Sequence, residues 1–508
     1  MREPDLHGCR GRSLFLRSSP SDARARRACL SSALFALLSA LVLAGCSKTH
    51  PTVAILHATV IDATGSPPLP DTTVLISNHR IAAIGPSRST AIPRGAQTIG
   101  ASGKFLIPGL VDMHVHLTGS GEPAGSRQFL LPLLLANGIT TVRDMGGYLE
   151  SLVPLRREIR EGERLGPDIF FAGPYLDGDP PSFQPSLVVT NAAEADKDVH
   201  DLVQQGVDFI KVQSILSRDA YFAIAAACKR EHVAFAGHVP DGVTAAEASD
   251  ASQRSIEHLT GILRACSSNE RKLMRQQFYV PRRKQTAAQS QARLLAWQRE
   301  LLRTQSEKFT AALIEEFVHN GTWQVPTLIT LRNVAFLTPD QNFTSDPRTQ
   351  LVPRSLLEAW RSNRANELRN ASRQEFAVRK ALFRRSTELV GKMNAAGVHL
   401  MAGTDTAAPF VFPGSSLHEE LALLVEAGLT PMQSLEAATR NPAEFLGRLE
   451  AQGTISVGKL ADLILLDANP LDDIHNTQKI RVVILGGHPV DRSALDQLVD
   501  SVRRFAAH

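Results

Sequence analysis

Residues 109–117 read GLVDMHVHL and place His114 and His116 at the end of an apolar run. The run follows a polar turn, which predicts a buried strand from Phe105 to Val115. Side chains alternate between the faces of a strand, so residues two apart point the same way, about 7 Å apart at the backbone. Two neutral imidazoles that converge in this way suit zinc or a similar first-row metal. Two histidines hydrogen-bonded at a strand end would give the same pattern, so the metal hypothesis needs partners elsewhere in the chain.

Seven further apolar runs follow this one, and helical patterns such as residues 217–232 separate several of them. Eight alternating β and α segments predict an α/β protein with a TIM-like (β/α)8 barrel. In such barrels the functional groups lie at the carboxyl ends of the strands. The seven runs are GITTVRDMG (138–146), DIFFAG (168–173), VDFIKVQ (207–213), VAFAGHV (233–239), SIEHLTG (255–261), TWQVPTLIT (322–330) and VHLMAGTD (398–405).

Short strands and turns occupy both ends of the chain, at residues 52–107 and 452–495. The Asn78-His79 pair between two β-rich runs predicts a hairpin turn. Neither segment is large enough for a good core, so we expect them to pair into one small β-sandwich domain. The barrel is then predicted to span residues 108–451.

Two long segments interrupt the predicted barrel, at about 262–316 after the sixth strand and about 331–389 after the seventh. Both are rich in Arg, Gln, Leu and Ala, which predicts helices. Between Arg264 and Lys308 there are 11 basic and 3 acidic residues. This excess of charged, basic side chains favours a solvated helical cap over the barrel. A lid that attracts an anionic substrate and a patch that contacts anionic lipid are the alternatives.

The first 45 residues have the features of a signal peptide. Seven arginines end at Arg27, and a 17-residue apolar stretch follows, short for a membrane span. The stretch ends in LAGC, which resembles the lipobox of bacterial lipoproteins, so we expect the mature chain to begin at a lipidated Cys46. An uncleaved anchor helix is the alternative. Ser47 favours the outer membrane, and export to the cell envelope is expected in either case.

The rest of the chain carries equal numbers of basic and acidic side chains, because the leader accounts for the net charge of +4. This balance gives no indication of a nucleic-acid partner. Beyond Cys46 only Cys228 and Cys266 remain, which excludes a disulfide framework and leaves a single bridge undecided. The sequence does not determine the oligomeric state.

Polar side chains also end other predicted barrel strands. Lys211 follows an apolar pair in the fourth strand, and a buried lysine is costly unless it is paired or modified. Packing alone hardly explains six polar residues at one level of a barrel. The six are His114, His116, Lys211, His238, His258 and Asp405.

This set resembles the amidohydrolase superfamily in the HxH of strand 1, the lysine of strand 4, the histidines of strands 5 and 6 and the aspartate of strand 8. The resemblance covers about 52–492 without the two helical segments. The stretches 428–447 and 458–474 look like the family's helix after strand 8 and its carboxyl-terminal β-sandwich segment. TTVRDMGG and GHVP…SIEHLTG are similar to the imidazolonepropionase-related and Xaa-Pro dipeptidase-like branch.

The resemblance implies two divalent metal ions, zinc first and manganese or cobalt as alternatives. It implies that CO2 carboxylates Lys211, which then bridges the ions, and that a hydroxide is shared between them. One ion would take His114, His116 and Asp405, and the other His238 and His258. Asp405 and His258 are the predicted catalytic residues, with Asp405 moving the proton to the leaving nitrogen.

Three other polar residues are candidates for contacts with substrate or with the ligands. Gln213 lies two residues beyond Lys211 and so shares its face of the strand. His418 either faces the site or begins a helix. Arg143 either supports the ligands or pairs with Asp144, and pairing is the favoured prediction.

We therefore predict an exported, lipid-anchored amidohydrolase that cleaves peptide-type C–N bonds, as a dipeptidase or carboxypeptidase does. Its partner would be a small-molecule or short-peptide substrate. The same site acting on cyclic amides, lactones or phosphotriesters is the first alternative. A lipoprotein that keeps the barrel for binding alone is the second.

Overall fold

The computed structural model describes residues 52–118, 125–276, 286–337, 345–369 and 371–507. The predicted signal peptide and Cys46 lie outside these ranges, so lipidation stays a prediction. Within the described ranges, no helix is both long enough and apolar enough to cross a lipid bilayer.

Strands from both ends of the chain form one sheet, as the sequence predicts. Its order is β17-β16-β15-β5-β1-β2-β3, and β4 pairs with β1. The two ends meet where β5 runs antiparallel to β15, with Leu106 opposite Leu465. The inward side chains form one buried apolar cluster around Ile55 and Ile484. The strands are β1 Val53–Val60, β2 Leu69–Ser77, β3 Arg80–Pro86, β4 Gln97–Gly100, β5 Phe105–Pro108, β15 Leu463–Leu466, β16 Ile480–Leu485 and β17 His488–Asp491.

The predicted hairpin turn is confirmed. Asn78 and His79 have φ of 50° and 65°, and Ser77 pairs with Arg80 across the two-residue loop. Two left-handed residues give the turn a twist that matches the strands, and asparagine tolerates this conformation well.

Parallel strands carry the barrel, in two hydrogen-bonded sheets. Their strands are β6 Leu110–Val115, β7 Ile139–Asp144, β8 Asp168–Phe171, β9 Tyr175–Asp177, β10 Ser186–Val188, β11 Ile210–Val212, β12 Phe235–Gly237, β13 Ser255–Glu257 and β14 Trp323–Val325. One sheet has the order β6-β7-β8, and the other has the order β10-β9-β11-β12-β13-β14.

The predicted eighth strand is less regular than the other seven. Its residues link the two sheets through single backbone bonds: Met401 N donates to Gln324 O, and Met113 N donates to Ala402 O. Asp405 N in turn donates to His114 O, over 2.7 Å. The segment thereby lies between strands β14 and β6, as the last strand of a barrel must.

The strand predicted from Phe105 to Val115 is in fact two strands separated by Gly109. The first belongs to the sheet of the chain ends and the second to the barrel. A Cβ atom at Gly109 would lie 2.2 Å from Thr140 Oγ1, so only glycine allows this close approach. A continuous apolar run could not reveal the break, because both halves are buried.

Helices surround the barrel, and both interrupting segments are largely helical, as predicted. The helices are α1 Ser126–Ala136, α2 Leu149–Arg160, α3 Ala192–Gln204, α4 Arg218–Arg230, α5 Ala245–Asp250, α6 Ile262–Ala265, α7 Glu270–Met274, α8 Ala287–Arg303, α9 Glu307–Asn320, α10 Leu328–Ala335, α11 Arg354–Leu368, α12 Arg373–Ala395, α13 Ser415–Glu426, α14 Pro431–Ala437, α15 Arg440–Phe445 and α16 Arg492–Ala506, with short 3₁₀ helices at Pro347–Leu351 and Ile474–Gln478. The first interrupting segment contains α6 to α9, and the second extends from α10 to α12.

Cys228 and Cys266 are both buried and both free, so the undecided bridge is not formed between them. The predicted fold class is confirmed: the chain combines a barrel of parallel strands, a sheet built from both chain ends and helical segments that interrupt the barrel. The domain boundaries near 107 and 451 stay predictions.

Candidate metal centre

Three of the six predicted ligands converge on one point. His116 Nε2 lies 3.2 Å from Asp405 Oδ1, and His114 Nε2 lies 3.5 Å from the same oxygen. The donor atoms of these three residues all lie within 4.8 Å of one another. Two imidazoles and a carboxylate so arranged are a ligand set for zinc or a similar divalent ion.

The other two histidines continue this cluster. The rings of His114 and His258 are 4.4 Å apart between centroids, and those of His258 and His238 are 5.1 Å apart. The structure thus brings together the histidines of strands 1, 5 and 6, as the sequence predicts.

Lys211 is buried beside this cluster. Its side chain is 1% exposed, and its Nζ has no hydrogen-bond partner among the described residues. Burial lowers the pKa of Lys211 to about 8. Gly237 makes room for it, because a Cβ atom there would lie 3.0 Å from Lys211 Cδ. A buried ammonium group without a partner is energetically unfavourable, so Lys211 is the least satisfied side chain of the cluster.

Each histidine of the cluster uses its Nδ1 for a bond to the surrounding protein. This arrangement fixes the ring and leaves Nε2 for a metal ion. The partners of Nδ1 are Glu257 Oε2 for His114 (2.8 Å), the Gly146 carbonyl for His116 (3.1 Å), Ser214 Oγ for His238 (2.7 Å) and Thr327 Oγ1 for His258 (2.6 Å).

The electrostatics favour neutral imidazoles at His114, His238 and His258 and an ionised carboxylate at Asp405. The pKa of His116 is raised instead, because the Asp405 carboxylate beside it outweighs the effect of burial. Burial lowers the pKa of His114 and of His238 well below the usual value. Burial by itself would raise the pKa of Asp405, but His258 and His116 beside it bring the pKa below its usual value. Metal ligands must be unprotonated, so the three neutral histidines and the Asp405 carboxylate fit a divalent cation.

Two of the predicted ligands also have strained backbones. His258 has φ of 56° and Asp405 has φ of 65°, and Thr327, which orients His258, has φ of 45°. Left-handed conformations are uncommon for residues other than glycine and tend to occur where a site dictates the geometry.

The favoured pairing of Arg143 with Asp144 is wrong. Arg143 Nη2 donates to both oxygens of Glu257 over 2.9 Å, and both side chains are fully buried. Asp144 instead accepts from the amides of Leu117 and Gly146. The alternative, in which Arg143 supports the ligands, is the one that the structure favours, because Glu257 holds His114.

Glu257 was missed in the sequence analysis. Its signal was a carboxylate inside the apolar run SIEHL, next to His258, where a charge is expensive unless it has a partner. Tyr175 was missed as well, and its hydroxyl lies 3.1 Å from His116 Nδ1. An aromatic residue in an apolar stretch gave no such signal.

The remaining two candidates differ in their environments. Gln213 is buried, and its Oε1 has no partner among the described residues. His418 is buried against the carboxyl-terminal segment instead, where its Nδ1 bonds to Thr477 Oγ1 over 2.9 Å. The structure therefore gives His418 a packing environment and does not place it in the cluster.

The fold and the site define a barrel protein with a cluster of metal ligands at the carboxyl ends of its strands. The amidohydrolase family model matches residues 105–490, about three quarters of the chain. The chain belongs to the amidohydrolase family, and the resemblance noted in its sequence is confirmed.

Solved structures share this fold. A protein of Bifidobacterium longum that is provisionally described as a prolidase is 26% identical, with a TM-score of 0.63 over 89% of this chain and 99% of that one. A bottromycin amidohydrolase is 24% identical, with a TM-score of 0.69 over 91% and 92% of the two chains. A Xaa-Pro dipeptidase with bound methionine in its active site is 20% identical, with a TM-score of 0.61 over 87% and 100%.

Curated relatives match over short segments only. An adenine deaminase of Paracoccus denitrificans is 35% identical over 75 residues, 15% of this chain and 12% of the relative. A dihydroorotase of Trichlorobacter lovleyi is 48% identical over 48 residues, 9% and 11% of the two. The chain thus matches only about a tenth of the length of each of these relatives, and neither activity is transferred to it.

Proposed function

We propose that the protein is a metal-dependent hydrolase of peptide-type C–N bonds, similar in activity to a dipeptidase or carboxypeptidase. The observation that carries this proposal is the convergence of His114, His116 and Asp405 beside the unpartnered Lys211. The likeness to the Bifidobacterium longum protein supports a peptide-type substrate.

The residues present fit two divalent ions. His114, His116 and Asp405 would hold one ion, and His238 and His258 the other, with carboxylated Lys211 between them. Carboxylation replaces an unfavourable buried cation by an anion that two cations can share. When bound, such ions acidify a water molecule and polarise a carbonyl group.

Asp405 is the residue placed to move a proton. Its Oδ1 faces the Nε2 atoms of His114 and His116, so the carboxylate stays ionised and can accept a proton from the attacking water. Hydrolysis forms a bond from the water oxygen to the acyl carbon and breaks the C–N bond. Asp405 then delivers the proton to the leaving nitrogen, a transfer worth roughly 10²–10⁴-fold in rate.

We also propose that the mature protein is exported and anchored to the cell envelope by lipid on Cys46. The basic leader, the apolar stretch and LAGC support this location. A hydrolase of short peptides at the envelope would suit peptide scavenging.

A dipeptide library assayed with added zinc tests the activity. We expect turnover of dipeptides that Asp405→Asn abolishes. The matched control is Asp473→Asn, because Asp473 forms an exposed ion pair with His475 away from the cluster. Turnover of esters or phosphotriesters alone would overturn the peptide proposal in favour of the alternative substrates. Full metal occupancy without turnover on any substrate would favour a binding protein.

A further inference from the structure

A cavity of about 810 Å³ opens beside the metal centre. His258 and Val239, the residue after His238, line its inner end, and its outer walls come from α8, α10, α11 and α12. Its size lies within the range of roughly 300–1,000 Å³ that is usual for sites of small ligands. The helices that interrupt the barrel therefore do more than cover it, because they build a chamber that continues the site.

The walls of this chamber are largely apolar. Leu294 and Val334 line it and are 38% and 52% exposed, although both are large aliphatic residues. Leu331, Phe383 and Leu301 are among the other apolar residues of the lining. Aliphatic side chains left open to a cavity next to a reaction centre indicate that an apolar group of a ligand covers them.

One cation of the lining has hydrogen-bonding capacity to spare. Arg379 Nη2 donates to Glu367 Oε2 over 3.0 Å, whereas Arg379 Nη1 is buried without a partner among the described residues. The acidic side chains of the lining are engaged: Glu367 binds Arg379, Glu375 accepts from the Ser372 amide, and Asp241 pairs with Arg264 over 3.7 Å. A guanidinium with an unused N–H suits a carboxylate, which it binds through charge-assisted hydrogen bonds.

We propose that this chamber binds the leaving amino acid of the substrate, and that the preferred substrates end in a large apolar residue with a free carboxylate. The apolar side chain would contact Leu294, Val334 and Phe383, and the carboxylate would meet Arg379. The inference rests on the proposed function, because it assigns the leaving side of a peptide bond cleaved at the metal centre.

A matched series of substrates tests the assignment. N-acetyl-glycine, -alanine, -leucine, -phenylalanine and -tryptophan are assayed with the zinc-loaded full chain, each as the free acid and as the carboxamide. We expect kcat/KM to rise by roughly fourfold for each methylene group that the leaving residue buries. We expect the carboxamides to be poorer by roughly 10- to 150-fold, the value of a hydrogen bond to a charged group.

Two variants identify the residues. Leu294→Trp narrows the chamber and is expected to lower the ratio of kcat/KM for N-acetyl-tryptophan over N-acetyl-alanine. Val318→Trp is its control, because Val318 is 47% exposed on α9 and does not line the chamber. Arg379→Gln is expected to remove most of the preference for the free acid, and Arg354→Gln, at an 83% exposed side chain, is its control.

The outcomes separate the two proposals. No turnover of any member of the series, or of the dipeptide library, would count against the hydrolase itself. Turnover that is indifferent to the size of the leaving residue and to its carboxylate would leave the hydrolase standing and refute the chamber. Equal effects of the variants and their controls would refute the roles of Leu294 and Arg379.

Discussion

The carboxylate of Glu257 is the point at which removal of a single charge should affect both the fold and the metal centre. It accepts from His114 Nδ1 over 2.8 Å, from Arg143 Nη2 over 2.9 Å and from the hydroxyl of Ser255. All of these side chains are buried. Glu257→Gln keeps the shape, removes the charge and turns one acceptor into a donor.

The size of both losses in Glu257→Gln follows from the burial of the groups that Glu257 contacts. Removing one partner of a buried ion pair leaves an uncompensated charge and costs about 3–5 kcal/mol. Because Arg143 is 0% exposed, water cannot replace the lost carboxylate. His114 also loses the acceptor that fixes its ring, and the loss of such a supporting contact costs roughly 10- to 100-fold in metal affinity.

Urea unfolding of the metal-free and zinc-loaded chains measures the first effect, and zinc competition against a chromophoric chelator measures the second. Glu358→Gln is the control, because Glu358 forms an exposed pair with Arg354 over 3.0 Å on the surface of α11. The double variant Glu257→Gln/Arg143→Met should lose less free energy of unfolding than the two single variants lose together, because each single variant breaks the same ion pair.

Unfolding of Glu257→Gln at the same urea concentration as Glu358→Gln, together with unaltered zinc affinity, would refute both roles of Glu257. A loss of stability without a loss of zinc affinity would support the ion pair between Glu257 and Arg143 as a stabilising contact. It would refute the claim that Glu257 positions His114 for metal binding.

Four further outcomes are expected. Lys211→Ala should lose most of its zinc, as measured by elemental analysis, and most of its activity; unchanged turnover would reject the bridging role. Prolonged chelation should abolish hydrolysis and added zinc should restore it, whereas activity that survives with less than a tenth of an ion per chain would exclude metal catalysis. Labelled palmitate should enter the chain in cells and be absent from Cys46→Ser; an unlabelled, soluble wild-type product would contradict anchoring. Burial lowers the pKa of His418 to about 4 from an unfolded value near 6.5, so its contribution to stability should be full above pH 6.5 and fall by up to roughly 3 kcal/mol as the pH drops through 4. His418→Gln should make unfolding less sensitive to pH in that window, and an unchanged pH profile would contradict the assignment.

The sequence by itself determined the alternation of strands and helices. It also determined that the polar residues lie at the carboxyl ends of the barrel strands. His114 and His116 share a face because side chains on a strand repeat every two residues, a local rule that needs no knowledge of the fold. Barrel topology then brings the carboxyl ends of all the strands to one face, so the sequence places Lys211 and Asp405 at the level of the histidines, and the family resemblance implies their roles. The turn at Asn78-His79 was likewise a local property.

The tertiary structure alone decided which partners these residues meet. Arg143 and Glu257 lie 114 positions apart, and no periodicity relates them, so the sequence favours the neighbouring Asp144 as the partner of Arg143. The break at Gly109 depends on the approach of Thr140, and the chamber beside His258 depends on how two separate helical segments pack. Contacts between distant parts of a chain are set by packing and by the need to pair every buried charge, and neither is encoded in the spacing of residues along the chain.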